Sequence, residues 1–275
     1  MSLAVLVPDM SDVEYHRHPA LSASGAKKLL APSCPALFKY DRDHGQPPKD
    51  VFDFGRAAHA EVLGVGGDLV VVEADNWLTK AAKEARQAAR AEGKTALLAH
   101  EAEQVRGMAE ALASHPIASA LFDPDRGSAE QSVFWHDERF GVDRRARFDW
   151  LPDAGEGRLV IGDYKSAASA EPAAVAKAVA NFGYAMQASF YCDAARALGH
   201  EDPAFLFVFQ EKVAPFLISV IELDSAAMAY GAAKVARALE VFAECTATDT
   251  WPGYSDEIEL ISLPAWATRD LEVTA

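Results

Sequence analysis

The sequence predicts an α/β fold, a mixed central sheet flanked by helices, in one domain spanning residues 1–275. Three observations predict it. Short runs of apolar, β-branched and aromatic residues (RLVIGDYKS, PAFLFVFQE, PFLISVIEL) have strand character. Long Ala-rich stretches with capping residues lie between and around them. No internal repeat or Gly/Ser linker divides the 275 residues, and half of these are hydrophobic, enough for one large core.

Residues 1–20 read as irregular, with His16, His18 and Pro19 in a polar turn. SASGAKKLLA opens a helix with Ser24 as its N-cap. Pro32 and Pro35 interrupt it, PALFKYDRDHG resumes for two turns, and GQPPKD is a loop. FDFGRAAHAEVLG reads as a helix stopped by Gly64, and DLVVVE as a short strand. Residues 76–115 are rich in Ala, Lys and Glu and poor in aromatics, which predicts one or two surface helices forming a solvated arm outside the core. AEQSVFWHDERFGVDRRARFDWL reads as two strands joined at DERFG. RLVIGDYKS is a third, its LVI run suited to burial on both faces. Residues 171–199 read as one long helix, starting near Pro172 and closed by Gly199. PAFLFVFQE and PFLISVIEL form a hairpin, 224–247 another Ala-rich helix, and WPGYSDEIELISLPAWA an alternating tail.

Composition narrows the function classes. The longest apolar runs fall far short of the roughly 20 residues of a membrane span. The N-terminus lacks the basic and apolar regions of a secretion signal. Cys34, Cys192 and Cys245 are far apart without CxxC spacing, which argues against a zinc ribbon, a disulfide framework or a four-cysteine iron–sulfur cluster. A reduced, cytoplasmic setting is the expectation. The 41 acidic against 26 basic residues give a net charge of −15, which argues against nucleic acid as a partner. That figure is an average, however, and an acidic exterior is compatible with one basic groove.

The chemistry concentrates in RFDWLPDAGEGRLVIGDYKS. Gly155 and Gly157 flank Glu156, so a turn centred there pairs residues whose numbers sum to 312. Asp149 and Asp163 sum to 312 and face each other, with Lys165 on the same face as Asp163. Facing carboxylates repel unless a cation lies between them, and hard Mg²⁺ is held by such a pair. Lys165 would orient or deprotonate an attacking water or stabilise charge on a phosphate. The plain alternative is a surface hairpin with Lys165 salt-bridged to either aspartate, and spacing alone leaves both open.

The order D-(13 residues)-D-x-K at the end of an apolar strand resembles the PD-(D/E)XK nuclease core, with its restriction-endonuclease-like mixed sheet. GRAAHAEVLG with His59 resembles the histidine motif of the RecB-like branch. YAMQASFY, with Gln187 and Tyr191, resembles that branch's Q-x-x-x-Y helix. YHRHPALSASGAKKLLAPSCPALFKY, AEQSVFW and WPGY…LPAWA are similar to the RecE-type exodeoxyribonuclease VIII nuclease domain, and the resemblance covers residues 14–266. No proline precedes Asp149, and Asp163 stands where the family more often has Glu.

The resemblance implies a metal-dependent 5′→3′ exonuclease that degrades one strand of duplex DNA from its ends. The 3′ overhang it leaves would pass to a single-strand annealing protein. It also implies a homo-oligomeric ring threading the DNA, whose channel could carry the basic groups. Asp149, Asp163 and His59 would be metal ligands for Mg²⁺, with Mn²⁺ as the alternative, and Lys165 the catalytic lysine. Gln187 and Tyr191 would bond near the phosphate or order the site; packing against the sheet is their plain alternative. For His59, on a helix otherwise built of Phe, Ala, Val and Leu, the alternative is a satisfied core histidine.

Glu130 is a candidate extra carboxylate or else a solvated glutamate at a strand start. Arg147 and Arg145 are candidate phosphate contacts, or partners of Asp143 and Asp149. Lys28, with Lys27 near Ser22 and Ser24, is a candidate phosphate contact or part of a solvated helix face. Two rivals remain: a catalytically silent DNA-binding scaffold of the same fold, and a Cas4-like single-strand nuclease, against which the missing cysteine quartet speaks.

Overall fold

The computed structural model describes residues 4–45, 53–65, 69–153, 155, 157–264 and 267. Glu156, most of GQPPKD and the Ala-Trp of LPAWA lie outside them. The first half of the chain runs β1 (Val5–Val7), α1 (Asp12–Arg17), α2 (Ala23–Lys28), α3 (Pro35–His44), α4 (Asp53–Leu63), β2 (Leu69–Val72), α5 (Lys80–Ala91), β3 (Thr95–Leu98), α6 (Ala99–Ala113) and α7 (Ala118–Leu121). The second half runs β4 (Gly127–Asp137), β5 (Val142–Pro152), β6 (Val160–Ala167), α8 (Pro172–Phe182), α9 (Tyr184–Ala197), β7 (Ala204–Glu211), β8 (Ile218–Glu222) and α10 (Ser225–Thr248).

Six strands form the main sheet in the order β1-β4-β5-β6-β7-β8. All neighbours are antiparallel except β6 and β7, which α8 and α9 connect as a crossover. This is the mixed, helix-flanked sheet the sequence predicts. One face carries the larger core, where Phe205, Phe207 and Phe209 form a ladder with centroids 4.9 and 5.8 Å apart beneath α9. The other face carries a second core, where α4 and α6 pack on Trp150, Tyr164 and Val208. β6 is buried on both sides, with Ile161 in the first core and Tyr164 in the second, as its LVI run predicts. Among the described residues no helix is long and apolar enough to cross a membrane.

Several elements differ from the sequence reading. Residues 5–17 are ordered into β1 and α1, the latter opened by a capping box between Ser11 and Glu14. Helix α2 is capped by Ser22, whose hydroxyl accepts from Gly25 N–H, and not by Ser24. The solvated arm is a correction. Strands β2 and β3 pair in parallel, and α6 buries Ala102, Val105, Met108 and Leu112 as one stripe at helical spacing. The long helix over 171–199 breaks at Gly183, whose φ of 65° ends α8 and re-aims the chain into α9.

Candidate metal centre and active site

The site forms where two strands change face together. In β4 and β5, Ala129 pairs with Trp150 and Gln131 with Phe148, so the register keeps a constant sum of 279 while the pair between them, Glu130 and Asp149, is skipped. Side-chain alternation inverts across that skipped pair. Ala129 and Trp150 pack in the second core, whereas Val133, Ala146 and Phe148, of the same parities, pack in the first. The backbone reason lies at Glu130, which has φ of 54° inside a strand. A residue with a Cβ accepts the left-handed region only at a cost of about 1–3 kcal/mol, and such strain concentrates at functional sites.

On the other side of β5, Trp150 pairs with Gly162 of β6, the register with sum 312. In place of a continuing backbone ladder, Tyr164 N–H donates to the Asp149 carboxylate, Oδ2, at 3.0 Å. Three neighbouring strands therefore bring Glu130, Asp149 and Asp163 to one row. Helix α4 lowers His59 onto this row, its Nε2 3.1 Å from Asp149 Oδ2 and its Nδ1 3.4 Å from Glu130 Oε1. From the opposite face, α9 supplies Gln187, whose Nε2 donates to Asp163 Oδ1 at 2.7 Å. Lys165, two residues along β6, ion-pairs with Asp163 Oδ2.

The environment drives the two aspartates apart in acidity. Burial raises Asp163 from 3.8 to about 6, helped by the charge of Asp149 and opposed by Lys165. Asp149 is half-buried, and although burial would raise it, the His59 charge, Lys165 and the Tyr164 N–H hold it below 3.8. Burial would lower His59, but Asp149 and Glu130 raise it from 6.5 to about 9. Burial would likewise lower Lys165, but Asp163 and Asp149 hold it above 10.5. In this arrangement Lys165 is a donor to the Asp163 carboxylate. A pair of titratable groups pushed apart in this way is a recurring mark of acid–base chemistry.

Among the described residues no three His, Cys, Asp or Glu side chains stand together in metal-holding geometry. The donor set itself fits a hard divalent cation: two carboxylates and an imidazole. Asp163 supplies the specific observation. It is buried, and among the described residues its Oδ2 meets no donor besides the Lys165 ammonium. His59, Asp149 and Asp163 are the residues that would hold the ion.

A cavity of about 260 Å³ opens beside the cluster, lined by Lys27, Glu130, Arg147, Asp149, Gln187 and Tyr191 among others. Tyr191 stands edge-on to Phe148 with centroids 5.6 Å apart, so it both packs on the sheet and reaches the cavity. The arginines are a correction. Arg147 donates to Ser132 Oγ at 2.9 Å and Met10 O at 2.8 Å, pairs with Asp12, and stacks on Tyr15. Arg145 donates to His18 O and also lies over Tyr15. Both are occupied in clamping the N-terminal segment, not in presenting free guanidinium forks to phosphate. Lys28 ion-pairs with Asp41 of α3, and it is Lys27 that lines the cavity, its Nζ 5.8 Å from the Tyr184 ring centroid. The sequence reading missed Asp12, Tyr15 and Gln210; the last accepts from Tyr164 Oη at 2.7 Å and donates to Met108 O at 2.8 Å. The Ser11-x-x-Glu14 capping box was the signal for an ordered N-terminal segment.

The family description that matches residues 22–264 is a PDDEXK-like domain of unknown function (DUF3799). The chain belongs to this PDDEXK-like family. A crystal structure from Eubacterium rectale, of a protein provisionally named an exonuclease, is similar over 98% of this chain and 100% of its own, with a TM-score of 0.59 at 12% identity. That likeness is one of PDDEXK-like fold. No curated protein matches the chain.

Proposed function

We propose that this PDDEXK-like chain is a divalent-metal-dependent nuclease, and specifically a 5′→3′ exonuclease on double-stranded DNA ends that leaves 3′ single-stranded overhangs for strand annealing. The observation that carries the nuclease reading is the buried Asp163 of β6, bonded by Gln187 of α9 and paired with Lys165 on its own strand, with Asp149 and His59 beside it. A bound Mg²⁺ or Mn²⁺ would supply Lewis acidity to the phosphoryl oxygens and a water of lowered pKa.

The chain's own groups do the rest. Lys165 donates to the phosphate oxygen on which charge develops. Gln187 fixes the Asp163 carboxylate by its 2.7 Å hydrogen bond. Lys27 brings a cation to the cavity wall, where a phosphate of the substrate would lie. The polarity, the annealing partner and a ring-shaped homo-oligomer are what the resemblance to the RecE-type exodeoxyribonuclease VIII nuclease domain implies. The three buried, unpaired cysteines disfavour a Cas4-like alternative, which requires a quartet.

Linear duplex labelled at either 5′ or 3′ ends, incubated with Mg²⁺ or Mn²⁺, tests the reading. The 5′ label should be released first by the wild type, and neither label by Asp163→Ala or Lys165→Ala. Release of the 3′ label first would reverse the polarity. DNA left equally intact by all three proteins would end the nuclease reading and favour a silent scaffold.

A further inference from the structure

His59 stands between two carboxylates, and only one of them belongs to the aspartate pair. Its Nε2 faces Asp149, and its Nδ1 faces Glu130 Oε1 at 3.4 Å. The other Glu130 oxygen faces Arg147 Nη1 at 3.8 Å, and Arg147 is itself fixed by Ser132, Met10 and Asp12. Glu130 reaches this place with φ of 54°, a conformation that glycine adopts freely and glutamate does not. Its neighbours Ala129 and Gln131 keep one register with β5 on either side of it, so the register does not require a glutamate side chain there. What glutamate adds is a carboxylate aimed at the ring nitrogen that faces away from Asp149.

We propose that Glu130 is a positioning residue for His59. Its carboxylate accepts the Nδ1–H of the imidazole, fixing the tautomer and ring plane so that the Nε2 lone pair is presented beside Asp149 to a divalent cation. Arg147 holds the second Glu130 oxygen and so keeps the carboxylate from turning toward the ion. Carboxylates behind ligating histidines orient the ring and raise its basicity, and losing one weakens metal binding about 10–100-fold. This inference rests on the metal-site reading above and assigns Glu130 a place outside the ligand set.

Mn²⁺ affinity, measured by calorimetry on the full chain without DNA, tests it in a double-mutant cycle of Glu130→Gly and His59→Ala. Glu130→Gly should weaken Mn²⁺ binding about 10-fold or more in the wild-type background and have no effect in the His59→Ala background. The metal-free Glu130→Gly protein should still unfold cooperatively, because glycine accepts the positive φ. Glu130→Gln, which keeps the side chain's length and an accepting oxygen, should weaken binding in the same direction but less, and serves if the glycine variant folds poorly. A further loss on adding Glu130→Gly to His59→Ala would make Glu130 a ligand and overturn the proposal. No loss in the wild-type background would leave Glu130 a purely structural residue, with the same result. If His59→Ala and Asp163→Ala both bind Mn²⁺ as the wild type does, the metal-site reading itself has failed.

Discussion

Replacing His59 with Gln should remove a pH dependence of stability from the metal-free protein. His59 keeps its proton up to about pH 9 in the folded chain, against 6.5 without its partners. A folded pKa raised in this way contributes stability that is fully present below 6.5 and is lost as pH rises through about 9. The gap from 6.5 to about 9, at 1.36 kcal/mol per pH unit, amounts to ~3 kcal/mol. The side chain is 25% exposed, so screening trims the figure modestly. Urea unfolding in EDTA at about pH 6, 7.5 and 9.5 reads it directly, as the difference between wild type and His59→Gln. That difference should shrink by about 2–3 kcal/mol from the lowest to the highest pH. Saturating Mn²⁺ should reverse the trend, since a ligating imidazole is neutral and metal binding then improves as protons are withdrawn. Stability curves that stay parallel in EDTA would refute the reasoning, because His59 would then lack the carboxylate environment described.

Three other perturbations are as specific. Gly231→Ala should cost about 3 kcal/mol or more, seen as a drop in melting temperature. An added Cβ would run into the Ala185 carbonyl oxygen and stand 2.6 Å from Ser189 Oγ, pushing α10 off α9. Arg144→Ala should cost about 3 kcal/mol by urea unfolding, because it strips a buried guanidinium from Asp137 at 2.8 Å, Asp193 at 3.0 Å and the faces of Trp135 and Phe190. Gln187→Ala should leave the fold intact but lower DNA cleavage roughly 10-fold or more. It should also shift the acid limb of the pH–rate profile upward, since Asp163 loses a donor that favours its charged form.

The parts of the fold that sequence made legible are those where one residue type has one reading. Phe205, Phe207 and Phe209 alternate with Leu206 and Val208, and a strand follows. The constant-sum argument located the β5–β6 register from two glycines, and Trp150 opposite Gly162 satisfies it. Other features depended on partners the local pattern does not contain. Arg147 looks like a phosphate ligand until Asp12, 135 positions earlier, is found against it. The buried stripe of α6 is small and diluted by Glu and His, so its helix reads as solvated although Met108 is fully buried. Gly183 sits inside an unbroken helical pattern, and only its positive φ reveals a corner. Nothing in AEQ marks Glu130 as the residue that turns over, because glutamate is among the residues least expected there.

The inversion at Glu130 and Asp149 has a mechanical consequence. Ala129 and Trp150 on one side of that point pack in the second body, and Val133, Ala146 and Phe148 on the other side pack in the first. The carboxylates therefore sit on a seam, and their spacing follows the relative position of the two bodies, one bearing α9 with Gln187, the other α4 with His59. A shear of less than an ångström between them would alter the fit to an ion while leaving both interiors intact. Substitutions far away in either body that shift one against the other should therefore change divalent-metal affinity before they change either interior.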